Sequence, residues 1–330
     1  MRESQNQVMT DAEKKYARSL FMRKYGIAFI MIAMILFLSF ATNNFLTANN
    51  LLNTMSTIAV NGCIALGMCF VITAGGIDLT VGAMLAWGSV VIGLLLQRFD
   101  SPSAILSVCL FAVLTCGLMG LINGLLVSKF HMFPFVVTLA MQLVIRGLAT
   151  ALSKGASIPL LVRQFTVIGL GKLGGIIPYP AIILLVLTVI LYFMMHWTKF
   201  GRYVFAVGGN IDAATASGVN VPKVTTATYV ISGLCTGVAA CIMTAKINAS
   251  QPNIGVGYET DAIAACVIGG TSFAGGVATI PGTVMGIIII GLIYNGMNLL
   301  GIESYWQTVF KGILIVLAVL VDGLINKKRK

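Results

Sequence analysis

The sequence predicts an all-α polytopic membrane protein, and three observations support this fold class. The chain has 330 residues, of which 58% are hydrophobic and only 9% are charged. Its mean hydropathy is +0.97, so a water-soluble fold could not bury enough of its apolar surface. Apolar stretches of roughly 17–25 residues, long enough to cross ~30 Å of hydrocarbon as helices, recur along the chain.

Ten such stretches are present, and each is predicted to be a transmembrane helix with approximate ends. They cover residues 26–41, 54–74, 80–97, 103–128, 133–153, 179–196, 224–245, 260–276, 282–300 and 306–325. The eighth stretch contains four glycines, and such backbone is tolerated at membrane depth only where protein or water surrounds it. Residues 26–325 are therefore expected to form one transmembrane domain, between an N-terminal tail at 1–25 and a basic tail at 326–330.

Positive charge is unevenly distributed, and its location decides between a membrane topology and nucleic-acid binding. The chain carries 21 Lys and Arg residues against 10 Asp and Glu. If the N-terminus is inside and ten spans follow, fourteen basic residues fall in inner segments and five in outer loops. This asymmetry predicts that both termini are cytoplasmic. We therefore expect the chain to lie in a lipid bilayer and to have no nucleic-acid partner.

The N-terminal tail has two interpretations. It is polar, and no small-residue cleavage pattern closes the apolar run that follows, so no cleavable signal peptide is predicted. Residues 10–25 place Thr10 and Glu13 at the spacing of a capping box. They predict either an interfacial helix, whose lysines meet anionic lipid, or merely an ordered basic tail.

Patterns typical of catalysis and of metal binding are missing from the sequence. All seven cysteines lie inside predicted spans and are interpreted as small buried hydrophobic residues, not disulfides. The two histidines have no close Cys or Asp grouping, so no metal site is predicted. The stretch GLGKLGG at 169–175 lacks the Ser or Thr of a phosphate-binding loop and falls in an outer loop. The chain is therefore not expected to be an enzyme or to bind a cofactor itself.

A few ionisable residues lie within or beside predicted spans, and each has a structural and a functional interpretation. Asp78 follows two glycines, where an acid is typical of a helix cap in a turn. Glu259 and Asp261 begin a span, where acids favour the positive end of the helix dipole. Arg146 and Lys311 can extend outward to water. The functional alternative is that Arg146 meets Asp261 or a passing polar solute in the interior.

A stretch of small residues, VGGNIDAATASGVNVPK at 207–223, interrupts the apolar sequence between the sixth and seventh spans. Asn210 predicts a helix start, and Asp212 strengthens its first turn. Gly218 suits a left-handed stop, and Pro222 is expected to prevent continuation. The surface of this two-turn helix is nearly bare because its remaining residues are small: Ala213, Ala214, Ala216 and Ser217. The stretch is either a docking helix for a cytoplasmic protein or an ordinary linker.

Two glycine-broken segments, 74–82 and 269–282, share an Ala-Gly-Gly followed by a glycine at a constant offset. The match is either a trace of internal duplication or chance in a chain with 36 glycines. Both segments permit sharp turns and close helix packing, which a pathway between moving helices requires. The candidate pathway residues come from these segments and from the ionisable set: Gly75, Gly76, Asp78, Thr80, Arg146, Asp261, Gly269 and Gly270.

Several blocks of sequence resemble one transporter family. The segment GRYVFAVGGNIDAATASGVNV (201–221) resembles the coupling loop of permease subunits of ATP-binding-cassette (ABC) sugar importers, the ribose and galactoside permeases. Further blocks agree with the family: FVITAGGIDLTVGAML (70–85), FPFVVTLAMQLVIRGLA (133–149), QPNIGVGYETDAIAACVIGGTSFAGGVATIPGT (251–283) and NGMNLLGIESYWQTVFKG (295–312). The resemblance covers the chain from about Asn43 to Asp322. The family usually has Glu where Asp212 stands, which preserves the charge.

The resemblance implies a multi-pass subunit of the bacterial cytoplasmic membrane that forms a homodimer or pairs with a second permease. Two cytoplasmic ATPase subunits would bind ATP and Mg, and a periplasmic or lipid-anchored binding protein would deliver the sugar. GGIDLTVG is most similar to ribose-type permeases, whereas DAIAACVIGGTSFAGGV is at least as similar to galactoside-type ones. The expected substrate is ribose or a related pentose or hexose, or another small polar solute such as a furanose-like signal molecule.

The resemblance also assigns residues. In the coupling loop, 199–222, the helix that docks on the ATPase would consist of Asn210, Asp212, Ala213, Ala214, Ser217 and Gly218. The outer loop 154–178 contains Lys154, Arg163 and Lys172 but no acid, and it either docks on a binding protein or is simply a wet surface loop. An ion-driven carrier is the first alternative function, although deep acids are few. A passive channel is the second, and it would give the capped helix no purpose.

Overall fold

The computed structural model describes residues 28–29, 31–99, 101–160 and 162–327, and this part of the chain is mostly α-helical. Its α-helices are α1 (Met31–Ala41), α2 (Ala48–Thr73), α3 (Val81–Arg98), α4 (Ile105–Ser128), α5 (Pro134–Ser153), α6 (Val167–Leu170), α7 (Tyr179–Trp197), α8 (Lys199–Gly209), α9 (Ile211–Ala216), α10 (Val221–Ile247), α11 (Tyr258–Ile268), α12 (Ile280–Leu299) and α13 (Ser304–Lys327). The predicted interfacial helix within 1–25 lies outside the described residues.

Seven helices in the described ranges are long and apolar enough to cross a membrane: α2, α3, α4 with the turn before it, α5, α7, α10 and α12. They coincide with seven of the predicted spans, so the protein is a multi-pass membrane protein. Helix α13 has 24 residues and coincides with the predicted span at 306–325. The apolar helix α1 is shorter in its described part and overlaps the predicted first span.

The predicted eighth span, 260–276, is not a full-length helix. Helix α11 has 11 residues, which corresponds to a length of about 16 Å and does not cross ~30 Å of hydrocarbon. It ends at Gly269 and Gly270, and Gly270 has a φ of +89°. The helix is almost wholly buried against its neighbours, as the glycine content predicted. The eighth stretch therefore forms a short buried helix and not a full-length span.

The centre of the molecule is formed by α2, α3 and α10, whose side chains are mainly buried. Helices α5 and α7 expose most of their apolar residues, which is the pattern expected of lipid-facing or partner-facing helices. Helices α4 and α10 pack in antiparallel fashion through glycines. A Cβ on Gly120 would overlap the carbonyl oxygen of Tyr229, and one on Gly124 would lie 2.7 Å from the Cα of Thr226.

Two faces lie at opposite ends of the helices. Helices α8 and α9 lie at the beginning of α10, and we call this end the α8–α9 face. At the other end of α10, strand β4 (Ala249–Ser250) pairs with β1 (Ile158–Pro159). A hairpin of β2 (Lys172–Leu173) and β3 (Ile177–Pro178) leads into α7 on the same side, which we call the hairpin face.

Candidate functional site

The stretch of small residues forms a capped helix, α9, as its sequence predicts. The Asn210 side-chain oxygen accepts a hydrogen bond from the backbone N–H of Ala213 at 2.9 Å, which caps the helix start. Gly218 has a φ of +80° and ends the helix in the left-handed conformation. Asp212 lies exposed in the first turn, whereas Ala214 packs inward. The rest of the α9 surface is exposed and available for contact.

The coupling loop differs from its expected structure in two places. The loop contains a second helix, α8, which the sequence analysis did not anticipate, and Thr198 caps its start by accepting from the N–H of Gly201 at 3.2 Å. Pro222 does not terminate α9. It lies in the first turn of α10, where proline needs no hydrogen-bond partner for its missing N–H.

Helix α8 has one buried and one exposed side. Val204 and Val207 are buried in the main hydrophobic core, and Phe200 stacks on Phe70 of α2 with ring centroids 6.3 Å apart. Lys199 and Arg202 are exposed. The helix is therefore held against α2 by apolar contacts, while its charged side faces away from the core.

The end of α8 lies in a backbone contact that we call the glycine junction, formed by Thr73, Gly208, Gly275 and Gly276. The N–H of Gly276 donates to the carbonyl oxygen of Thr73 at 2.9 Å. A Cβ on Gly208 would overlap that same carbonyl oxygen and lie 2.6 Å from the nitrogen of Gly276. Both Gly275 and Gly276 have positive φ, at +81° and +70°. Only glycine fits this packing without displacement of backbone.

The junction brings the two Ala-Gly-Gly segments together. The first begins immediately after α2, where Gly75 has a φ of +83°, and the second precedes α12. Gly76 packs against α10, where a Cβ would lie 2.7 Å from the Tyr229 hydroxyl. In the second segment, Gly269 packs on Gly282, whose carbonyl a Cβ on Gly269 would overlap. The predicted pathway glycines thus flank the junction.

Asp78 and Thr80 form a buried polar network with α4 and α10. Asp78 Oδ1 accepts hydrogen bonds from both the backbone N–H, at 3.0 Å, and the hydroxyl of Thr80. Its Oδ2 accepts from the Ser232 hydroxyl at 2.8 Å, and Asn123 donates its amide to Thr80 Oγ1 at 2.9 Å. These bonds agree with the turn interpretation of Asp78. They also fix the segment between α2 and α3 to its neighbours.

The predicted contact between Arg146 and Asp261 is wrong. Arg146 donates from Nη1 to the carbonyl oxygens of Pro252, at 2.8 Å, and Ile254, at 2.7 Å. It therefore fixes the segment 251–257, which leads from β4 to α11. Asp261 instead pairs with Lys311 of α13 at 2.7 Å and accepts from the Tyr294 hydroxyl at 2.6 Å. The candidate pathway residues consequently lie on different segments and do not form one polar site.

Most of the chain matches a known family. Residues 50–319 match the family described as branched-chain amino acid transport system / permease component. The chain belongs to this permease family. The ribose import permease of Bacillus subtilis (strain 168) is 42% identical over 304 residues, 91% of this chain and 93% of the relative. No solved structure matches the chain.

Two further relatives cover almost all of the permease. The ribose import permease of Escherichia coli (strain K12) is 36% identical over 325 residues, 97% of this chain and 99% of the relative. The D-allose transport system permease of the same organism is 38% identical over 316 residues, 96% of each chain. The family resemblance inferred from the sequence blocks is therefore confirmed over the full transmembrane region.

The basic residues predicted for docking all lie exposed on the hairpin face of the permease. Lys154 follows α5 with a φ of +52°, Arg163 begins a short 3-10 helix, and Lys172 lies in β2. They share one face, and their role stays a prediction.

The described residues contain no group of three or more His, Cys, Asp or Glu side chains that could hold a metal ion. Six of the seven cysteines are buried, and Cys109 is partly buried.

Sequence reasoning missed several residues that organise the permease. Gly208 belongs to the glycine junction but was not among the candidates. Lys311 was noted only as able to extend outward, although it is the ionic partner of Asp261. The repeated Ala-Gly-Gly was the one signal that could have located the junction, because it marks the two turns that meet there.

Proposed function

We propose that this permease is the transmembrane subunit of an ABC importer that brings a monosaccharide into the bacterial cytoplasm. Curated relatives with most of their length in common are import permeases for ribose, D-allose and L-arabinose. A further relative is named as a xylose permease, so the relatives are named for four different sugars. Because this chain is similar to all of them along most of its length, we infer that its substrate is a sugar of this size.

The observation that carries the coupling role is α9 itself. A six-residue helix with its own side-chain cap and an exposed, small-residue surface is a rigid element that another protein can approach closely. In this proposal α9 docks on the cytoplasmic ATPase, which binds ATP and Mg and hydrolyses ATP. Closure of the ATPase pair moves α9 and, through α8, the membrane helices. Coupling is then a difference in the free energy of two conformations.

The distribution of exposed charge supports a cytoplasmic location for the α8–α9 face. Lys129, Lys199, Arg202 and Lys223 are exposed on that side. Asp212 is an exposed acid in the same region. An excess of lysine and arginine in short loops is typical of the cytoplasmic side of a membrane protein. The hairpin face is then the outer one, where a binding protein would deliver the sugar.

Three buried polar residues favour transient passage of the sugar and not tight binding. Asp78, Thr80 and Thr73 are fully buried and already have hydrogen-bond partners within the chain. A sugar therefore meets no preformed polar cage at these residues. In this proposal the binding protein supplies the affinity, and the permease, with a second permease copy, supplies only the path.

Reconstitution of the permease in proteoliposomes tests this function. With its ATPase and binding protein, labelled ribose, allose, arabinose or xylose should enter only when ATP is present on the ATPase side. Uptake by the permease alone, driven by a proton or sodium gradient, would contradict the proposal and favour a secondary carrier. A sub-micromolar sugar affinity of the isolated permease would contradict the transient-passage part of it.

A further inference from the structure

Gly208 occupies a position where a single methyl group would disturb two other chain segments. A Cβ there would overlap the carbonyl oxygen of Thr73, the last residue of α2, and would crowd the nitrogen of Gly276. The next residue, Gly209, has the same size but a different environment. A Cβ on Gly209 would meet no atom within 4 Å. Substitution of Gly208 therefore tests packing at the junction, whereas substitution of Gly209 changes only the backbone flexibility of the same loop.

The contact is made by backbone atoms, so it leaves little room for relative sliding. Gly275 packs on Gly208 as well, because its own Cβ would lie 2.7 Å from the Gly208 carbonyl oxygen. The hydrogen bond from Gly276 to Thr73 closes the same contact. Phe200, near the start of α8, and Phe70 of α2 add a second contact between the two helices. Closely packed backbone transmits displacement because side chains cannot rotate to absorb it.

The junction links α8 to helices that do not adjoin it in sequence. The coupling loop is covalently joined only to α7 and α10. Through Thr73 the junction reaches the end of α2, and through Gly275 and Gly276 it reaches the segment between α11 and α12. A displacement of α8 would therefore act on α2, α11 and α12 at once. The repeated Ala-Gly-Gly turns are the parts of those segments that receive it.

We propose that Gly208 is a positioning residue through which motion of the coupling loop reaches α2 and the α11–α12 connection. This inference rests on the proposed function and specifies its route. Contact at Gly208 is distinct from docking of α9, since Asn210, which caps α9, lies beyond the junction and its hydrogen bond is independent of it. Loss of the junction contact should therefore uncouple the importer without releasing the ATPase.

The test compares Gly208→Ala with Gly209→Ala in the complete reconstituted importer. For each variant, ATPase binding, ATP hydrolysis and sugar uptake are measured on the same preparation. Gly208→Ala should retain the ATPase and hydrolyse ATP, while sugar moved per ATP falls by about tenfold. Gly209→Ala should stay within about twofold of the unaltered protein, because its Cβ enters open space. Equal behaviour of the two variants, whether both intact or both impaired, would overturn the inference.

A measurement on the unaltered complex covers the case in which Gly208→Ala does not fold. Hydrogen exchange of the backbone amides in 271–279 is compared between ATP-bound and nucleotide-free complexes. Exchange at this segment, which includes the Gly276 amide, should change between the two states, whereas the exposed hairpin 172–177 should not. A change confined to 199–222 would overturn the inference. If the unaltered complex imports no sugar with ATP, the proposed function fails instead, so the two failures are distinguishable.

Discussion

Lys311 Nζ lies 2.7 Å from Asp261 Oδ1, and this ion pair joins α13 to the first turn of α11. The aspartate side chain is only 4% exposed and the lysine 21%. Lys311 also donates to the carbonyl oxygen of Gly257, which precedes α11, at 3.1 Å. The short helix α11 is thus fixed at its beginning by a cation from a different helix. A partly buried pair of this kind is costly to break one side at a time.

Replacement of Lys311 by methionine should destabilise the protein, because Asp261 then remains buried without its counter-charge. The expected loss is about 3–5 kcal/mol, the range seen when one partner of a buried ion pair is removed. Thermal unfolding in detergent measures it. Combining Lys311→Met with Asp261→Asn should recover much of the loss, since no charge is then left unpaired. A double variant as unstable as the single one would contradict the ion-pair explanation.

Alanine substitution should have opposite effects on stability at a closely packed glycine of α4 and at an unpacked glycine of α5. Gly120→Ala should destabilise the protein by about 1–3 kcal/mol, because its Cβ would overlap the Tyr229 carbonyl oxygen. Gly147→Ala in α5 meets no atom within 4 Å and should be neutral or stabilising by up to about 1 kcal/mol. Thermal unfolding of both variants in the same detergent checks the sign. Destabilisation of equal size in both would show that helix packing is not the cause.

The cap of α9 predicts a specific loss of coupling. Asn210→Ala removes a hydrogen bond worth about 1 kcal/mol and should loosen the docking helix, which lowers both ATPase binding and uptake. Asn220→Ala removes a similar cap, in which Asn220 accepts from the N–H of Lys223 at 3.1 Å, but at the start of α10. Co-purification with the ATPase distinguishes the two. Equal loss of ATPase from both variants would argue against a special role of α9.

The basic residues of the hairpin face predict how a binding protein is recognised. Arg163 is exposed in a loop, 154–178, that contains no acid. Reversal to glutamate should weaken stimulation of ATP hydrolysis by the loaded binding protein and leave the basal rate unchanged, because α9 is on the other face. The effect should shrink as salt is raised. Stimulation that is unaffected at low salt would exclude docking at this residue.

Local signals in the sequence predicted more of this structure than contacts between distant segments. Apolar runs located seven spanning helices, and Asn210 and Gly218 located both ends of α9, because each signal depends on neighbouring residues. Helix α8 was missed since Gly201, Gly208 and Gly209 weaken its helix propensity, and only packing on α2 compensates. A contact between Asp261 and Arg146 was one of the alternatives considered, because the sequence shows charge but not distance. The partner proved to be Lys311, fifty residues further along the chain.

The glycine junction shows the same limit more sharply. Thr73 and Gly276 are 203 residues apart, and their hydrogen bond uses backbone atoms that every residue carries. Because no side chain takes part in this contact, the sequence could indicate only that the two Ala-Gly-Gly turns are unusual. The predicted span at 260–276 likewise overestimated the length of α11, although its four glycines marked the region as unusual.

ATP-driven sugar uptake by the reconstituted importer, with Asp212→Lys compared with the unaltered chain, tests the coupling role of α9 most directly. Lys129→Glu, a charge reversal on the same face outside the coupling loop, is the control. Uptake should require ATP, the ATPase and the binding protein, and Asp212→Lys should abolish it while the control transports normally. Normal uptake by Asp212→Lys, or sugar entry that needs neither ATP nor a partner, would contradict the assignment of α9 as the coupling helix.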